Sequence, residues 1–70
     1  KSPFQELTRR EKEILQYIVK GLTSKQIAET LHLSQRTIDN HRANLLRKFN
    51  RKNSAEMVNY AVRNGFVVSD

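Results

Sequence analysis

Five side chains between positions 36 and 47 carry the most suggestive chemistry in this sequence: Arg36, Asn40, Ala43, Asn44 and Arg47. They recur at the spacing of one side of a helix that turns by about 100° per residue. With Ile38 set at zero, Leu45 and Phe49 fall within about 20° of it and define an inner side. Arg36, Asn40, Ala43 and Arg47 cluster within about 40° of the opposite pole, with Asn44 about 60° from it. Each type suits the edge of a base pair. Arg donates two hydrogen bonds to guanine, Asn exchanges a donor and an acceptor with adenine, and the Ala methyl packs on the thymine methyl. A face that is only solvated more often mixes in Glu, and this line has none. Arg47 and Lys48, with Arg51 and Lys52 beyond them, suit phosphates.

Such a line needs a helix held at its inner side, and the helix ends are marked. Thr8 stands three before Glu11, and Thr23 three before Gln26, the spacing of a capping box. After Thr8, Ile14, Leu15, Ile18 and Val19 follow the helical period, and Gly21 marks the stop. After Thr23 a short helix, about Ser24 to Leu31, buries Ile27, Ala28 and Leu31. His32 and Leu33 make a turn, and His tolerates positive φ better than most residues. Ser34 caps the helix that carries the polar line, about 34–49, with Ile38, Leu45, Leu46 and Phe49 inward. Ser54 caps a last helix with Met57, Val58, Ala61 and Val62 inward, ended by Gly65, and Phe66, Val67 and Val68 fold back onto the core. No stretch alternates with period two, so the expected fold is all-α, a compact four-helix domain. A short helix, a connection of about three residues and a longer helix have the dimensions of a helix-turn-helix, with Ala28 at the close crossing. Ordinary two-helix corners share that spacing, and the surface of the third helix separates the two.

Composition narrows the classes. Seventy residues make one domain; residues 1–5 read as a linker remnant and 6–70 as the domain. There is no cysteine, which excludes disulfides and thiolate metal sites. The net charge of +6 is uneven. Residues 34–53 hold six of the thirteen basic groups and one of the seven acids. Clustered positive charge attracts a polyanion. No apolar run has the roughly 18 residues of a membrane span, so the expectation is a cytoplasmic protein without a membrane partner.

Four blocks then carry a resemblance: Leu7-Thr8-Arg9-Arg10-Glu11-Lys12-Glu13-Ile14-Leu15, Thr23-Ser24-Lys25-Gln26-Ile27-Ala28, Thr37-Ile38-Asp39-Asn40-His41-Arg42 and Ser54-Ala55-Glu56-Met57-Val58-Asn59-Tyr60-Ala61. In this order and spacing they resemble the LuxR/FixJ/GerE-type helix-turn-helix domain, from Leu7 to about Val67. The resemblance implies the C-terminal output domain of a bacterial transcription regulator, of the two-component response-regulator kind. Its partners would be duplex DNA, a second copy of itself on DNA, and RNA polymerase. It implies no cofactor, metal or small-molecule ligand in this domain. It places Asp39, Asn40 and Ala43, joined by Arg36, at bases. Thr23, Lys25 and Thr37 fall at phosphates, with Ser24, His41 and Asn44 assigned beside them. The last helix, through Met57, Asn59, Tyr60 and Arg63, resembles the surface where two such domains pair. Asp39 departs from the Lys common at its position and would accept from a cytosine amino group.

Single residues carry competing readings. Glu11 and Glu13 stand at i and i+2 and do not face each other, so Glu11 reads as a cap and not as a general acid. No nucleophile–base pair or phosphate loop is present, and an enzyme is not expected. Arg42, about 40° from the inner pole, is expected to pair with an acid of the first helix. His41 reads as packed or phosphate-contacting. Tyr60 is open between interior packing and interface. The alternative function is a protein-interaction module that contacts RNA polymerase or a sensor domain through the outer faces.

Overall fold

The first turn of each helix is capped by a side chain close to it in sequence. In a computed structural model, which describes residues 3–67, a 3₁₀ turn at Pro3–Glu6 is followed by α1 (Arg9–Val19), α2 (Ser24–Leu31), α3 (Gln35–Phe49) and α4 (Ser54–Arg63). Both capping boxes form. Thr8 Oγ1 accepts from the Glu11 amide at 3.1 Å while Glu11 Oε1 accepts from the Thr8 amide at 2.9 Å. Thr23 and Gln26 repeat the exchange at 3.2 and 2.9 Å. Ser34 caps α3 by accepting from the Thr37 amide. α4 begins differently from expectation. Asn53, not Ser54, is its cap, with Asn53 Oδ1 accepting from the Glu56 amide at 2.9 Å. Asn and Ser are equally good caps, so adjacent candidates leave the choice to the chain's direction of entry.

All four helices stop in the same way. An amide five residues on bonds back to a carbonyl in the last turn: Leu22 to Tyr17, Leu33 to Ala28, Arg51 to Leu46 and Phe66 to Ala61. Each closure needs a left-handed residue just before the donor. Glycine supplies it twice, but the two ends of greatest interest use His32 (φ 58°) and Asn50 (φ 56°). His32 thus makes the turn of the helix-turn-helix, and the connection is the three residues 32–34.

The core gathers around α3, which touches α1, α2, α4 and the 3₁₀ turn. Ile14, Leu15, Ile27, Ile38, Leu45 and Met57 are fully buried. Ala28 is buried where α2 lies against α3. Phe66 and Val67 do fold back: Phe66 stacks on Phe49 with ring centroids 6.1 Å apart, and Val67 is buried. Val68 lies outside the described residues. Residues 3–5, read as linker, form the 3₁₀ turn with Glu6. No strand occurs among the described residues, and none of the helices is long and apolar enough to cross a membrane.

Candidate nucleic-acid interface

The inner side of α3 is set by Ile38, Leu45 and Phe49, all buried. Arg36, Asp39, Asn40, Ala43 and Arg47 are exposed. The first two turns therefore offer solvent a strip of Arg, Asn and Ala, with one acid at its side. Arg36 has no ion-pair partner among the described residues, and neither has Lys25, exposed in the first turn of α2. Both charges are free for an external anion.

The remaining expected contacts are placed less uniformly. Thr23 is exposed, but its Oγ1 already accepts one bond as the cap of α2. Thr37 is half-buried, with its hydroxyl 2.8 Å from that of Ser34. Asn44 Oδ1 accepts from Arg47 Nη2 at 2.8 Å, which holds the guanidinium along the strip. His41 is half-buried, and its Nδ1 has no hydrogen-bond partner among the described residues. Ser24 is half-buried and turned inward.

Two basic residues of α3 do not join the strip. Arg42 meets no acid of α1. Its Nη1 donates to Ser24 Oγ at 3.3 Å and its Nη2 donates to Ser54 Oγ, so one guanidinium joins the first residues of α2 and α4. The cation that meets the acid of α1 is Lys48. Its Nζ lies 2.8 Å from Glu11 Oε1 and 3.2 Å from the Glu6 carbonyl oxygen. The expected phosphate contact at Lys48 thus sits on the back of the helix, about 80° from Ile38. Glu11 is only 4% exposed. Burial pushes its carboxyl up, but the hydrogen bond from Lys48, the bonds from the Thr8 amide and hydroxyl and the attraction of the ammonium outweigh this, and the net pKa is lowered. Glu11 is therefore cap and ion-pair partner at once. Sequence reasoning placed Arg42 inward but gave it the wrong partner, and it missed Lys48 as an inward cation. The available signal was the helical angle of Lys48, which lies nearer the inner pole than the outer.

On α4 the expected pairing surface splits. Met57 is fully buried beneath the helix and cannot meet a second molecule, because its position follows the same inward line as Ala61. Asn59 and Arg63 are exposed. Tyr60 is half-buried, edge-on to Phe49 and Phe66 at 5.8 Å each, with the Arg51 guanidinium 4.2 Å over its ring. It packs against the core on one side and is covered by a cation on the other. Among the described residues no group of three or more His, Cys, Asp or Glu is placed to hold a metal ion.

A short helix with one free cation, Lys25, in its first turn thus crosses a longer helix that exposes a strip of Arg, Asn and Ala. The family described as bacterial regulatory proteins, luxR family (GerE), matches residues 5–61. This chain belongs to that family. The oxygen regulatory protein NreC of Staphylococcus carnosus is 43% identical over 61 residues, covering 87% of this chain and 28% of NreC. The transcriptional regulatory protein DegU of Brevibacillus brevis is 37% identical over 67 residues, covering 96% of this chain and 28% of DegU. The response regulatory protein YgeK of Escherichia coli is 43% identical over 60 residues, covering 86% and 41%. This luxR-family chain thus spans well under half the length of those relatives. Among solved structures, the transcription factor GerE superposes with a TM-score of 0.83 at 31% identity, covering 91% of this chain and 96% of GerE. The VqmA dimer of Vibrio cholerae, a LuxR-type receptor seen without its target DNA, superposes at 0.85 with 29% identity, covering 91% of this chain and 30% of VqmA.

Proposed function

We propose that this luxR-family domain binds duplex DNA sequence-specifically, with the first turns of α3 in the major groove, as the DNA-binding part of a transcription regulator of response-regulator type. The observation that carries the reading is the exposed strip of Arg36, Asn40, Ala43 and Arg47 opposite the buried Ile38, Leu45 and Phe49. Arg36, Asn40 and Ala43 read base edges, with Asp39 beside them accepting from a cytosine amino group. Lys25 and the hydroxyls of Thr23 and Thr37 bracket the strip on phosphates, and Arg47 meets a phosphate further along. Two copies pair on adjacent half-sites through the exposed side of α4. Likeness to a transcriptional regulatory protein and to a dimeric receptor with a DNA target supports both parts.

The test is a fluorescence anisotropy titration of a random duplex across a salt series, followed by selection of the preferred sequence. With the phosphates at Lys25 and Arg47 neutralised, log K falls against log salt with a slope of about −2 per copy. A flat response, or selection that enriches no motif at moderate salt, overturns the reading.

A further inference from the structure

Asn44 and Arg47 are joined across one turn of α3. Arg47 Nη2 donates to Asn44 Oδ1 at 2.8 Å. An arginine side chain donates and cannot accept, so the atom of Asn44 that faces it is the amide oxygen. The bond draws the guanidinium back toward the start of the helix, the direction in which helical side chains lean. It also draws it sideways. Asn44 stands about 60° from the outer pole of α3, so the guanidinium is held toward the edge of the strip and away from its centre. Asn44 is half-buried and Arg47 exposed, which makes the asparagine the anchor of the pair.

The hydrogen bond changes what the two side chains can recognise. With Oδ1 facing Arg47, the pair has mainly N–H groups left to offer: Nδ2 of Asn44 and the remaining donors of the guanidinium. A phosphate oxygen only accepts, and it matches such a set. Adenine needs an acceptor beside the donor and matches it poorly. Position agrees with chemistry. A helix in the major groove meets base edges along its outer pole and the backbone along its flanks. Thr37, whose hydroxyl is proposed above for a phosphate, stands seven positions before Asn44. It therefore shares that flank within about 20°, about 10 Å away along the axis.

We propose that Asn44 is a positioning residue, which holds Arg47 on the flank of α3 so that the two side chains grip one DNA phosphate together, and that Asn44 reads no base. The proposal rests on the reading that α3 enters the groove, and adds how that helix keeps a phosphate-binding arginine off the base edges. An arginine that is free to move loses rotamer freedom when a phosphate fixes it, and one already held by its neighbour loses less. Asn44 thus raises affinity without adding charge, and does so for every sequence alike.

The experiment is a double-mutant cycle over Asn44→Ala, Arg47→Ala and both together, measured across a salt series on the motif selected above and on a random duplex. Arg47→Ala is expected to flatten the salt slope by about 0.9. Asn44→Ala keeps the parental slope and weakens both duplexes by about three- to tenfold. With Arg47 already removed, Asn44→Ala costs less than about twofold further, because its partner is gone. In the free protein, NMR relaxation of the Arg47 Nε–H group shows an ordered side chain in the parent and an averaged one in Asn44→Ala. Thermal melts separate these effects from loss of fold. Losses that multiply independently, or an Arg47 equally ordered with and without Asn44, overturn the positioning role. Loss of an adenine preference in the motif selected by Asn44→Ala overturns the assignment to phosphate and makes Asn44 a base reader. A parental chain with no salt-dependent binding overturns groove insertion, and the proposal falls with it.

Discussion

Along α3, Arg36 and Arg47 end in solvent with Asn40 and Ala43 between them, whereas Arg42 and Lys48 on the same helix end inside the domain. The outer pair has the chemistry of an interface. The inner pair joins four pieces of backbone to one helix: Arg42 holds the starts of α2 and α4, and Lys48 holds the start of α1 and the 3₁₀ turn. The difference shows that a basic helix is not uniformly a polyanion-binding helix. A guanidinium or ammonium whose stem lies on the inner flank reaches an internal acceptor before it reaches solvent. Its charge then fixes the angle at which the outer residues are presented.

The comparison breaks most sharply at Lys48. Lys48→Met leaves the buried Glu11 carboxylate without its ammonium, and a loss of about 2–3 kcal/mol is expected, less than for a fully buried pair because the lysine is partly exposed. In a domain of this size that lowers the melting temperature by about 10–20 °C. At a temperature where the variant is folded, its salt slope on DNA stays parental. A slope reduced by one unit with unchanged melting would instead put Lys48 on a phosphate. Asn40→Ala, on the outer strip, acts the other way. Stability stays within about 0.5 kcal/mol, and discrimination at one or two base pairs falls by about 1–3 kcal/mol. Repeating the sequence selection checks it, and an unchanged motif removes Asn40 from the base-reading set.

Smaller effects sharpen the division. Arg42→Met breaks the link between Ser24 and Ser54 and is expected to cost about 1–2 kcal/mol of stability by urea denaturation. Lys25→Ala leaves stability alone, weakens binding to all sequences alike and flattens the salt slope by about 0.9 unit. The pH dependence of Glu11 gives the last check. Its folded pKa is depressed, so its contribution is complete above the ordinary carboxylate value of about 4.5 and is lost as pH falls through the lowered one. Acid titration of Lys48→Met should show a smaller loss of stability below pH 4.5 than the parent.

Much of the fold was legible in local spacing. The capping boxes at Thr8–Glu11 and Thr23–Gln26, the stops at Gly21 and Gly65 and the left-handed His32 involve residues a few positions apart, so the chain states them directly. Ile38, Leu45 and Phe49 gave the inner line of α3 by angle alone, and with it the exposed strip. Asn53 escaped because two good caps are adjacent. Met57 was assigned to pairing although its place beside Ala61 on the inward line points to the core. Arg42 and Lys48 were misassigned for a different reason, since their acceptors lie 12 to 42 positions away in sequence.

The sequence by itself thus determined the four helices, most of their starts and stops, and which side of α3 faces out, because hydrogen bonds at helix ends and helical periodicity are local properties. Only the tertiary structure decided which cations remain free and which are spent on holding the helices together. It also decided that Tyr60 packs between Phe49, Phe66 and Arg51. The physical reason is that a charge or a ring finds its partner through space, at distances of a few ångströms set by how separate helices cross. No period or cap along the chain encodes those distances.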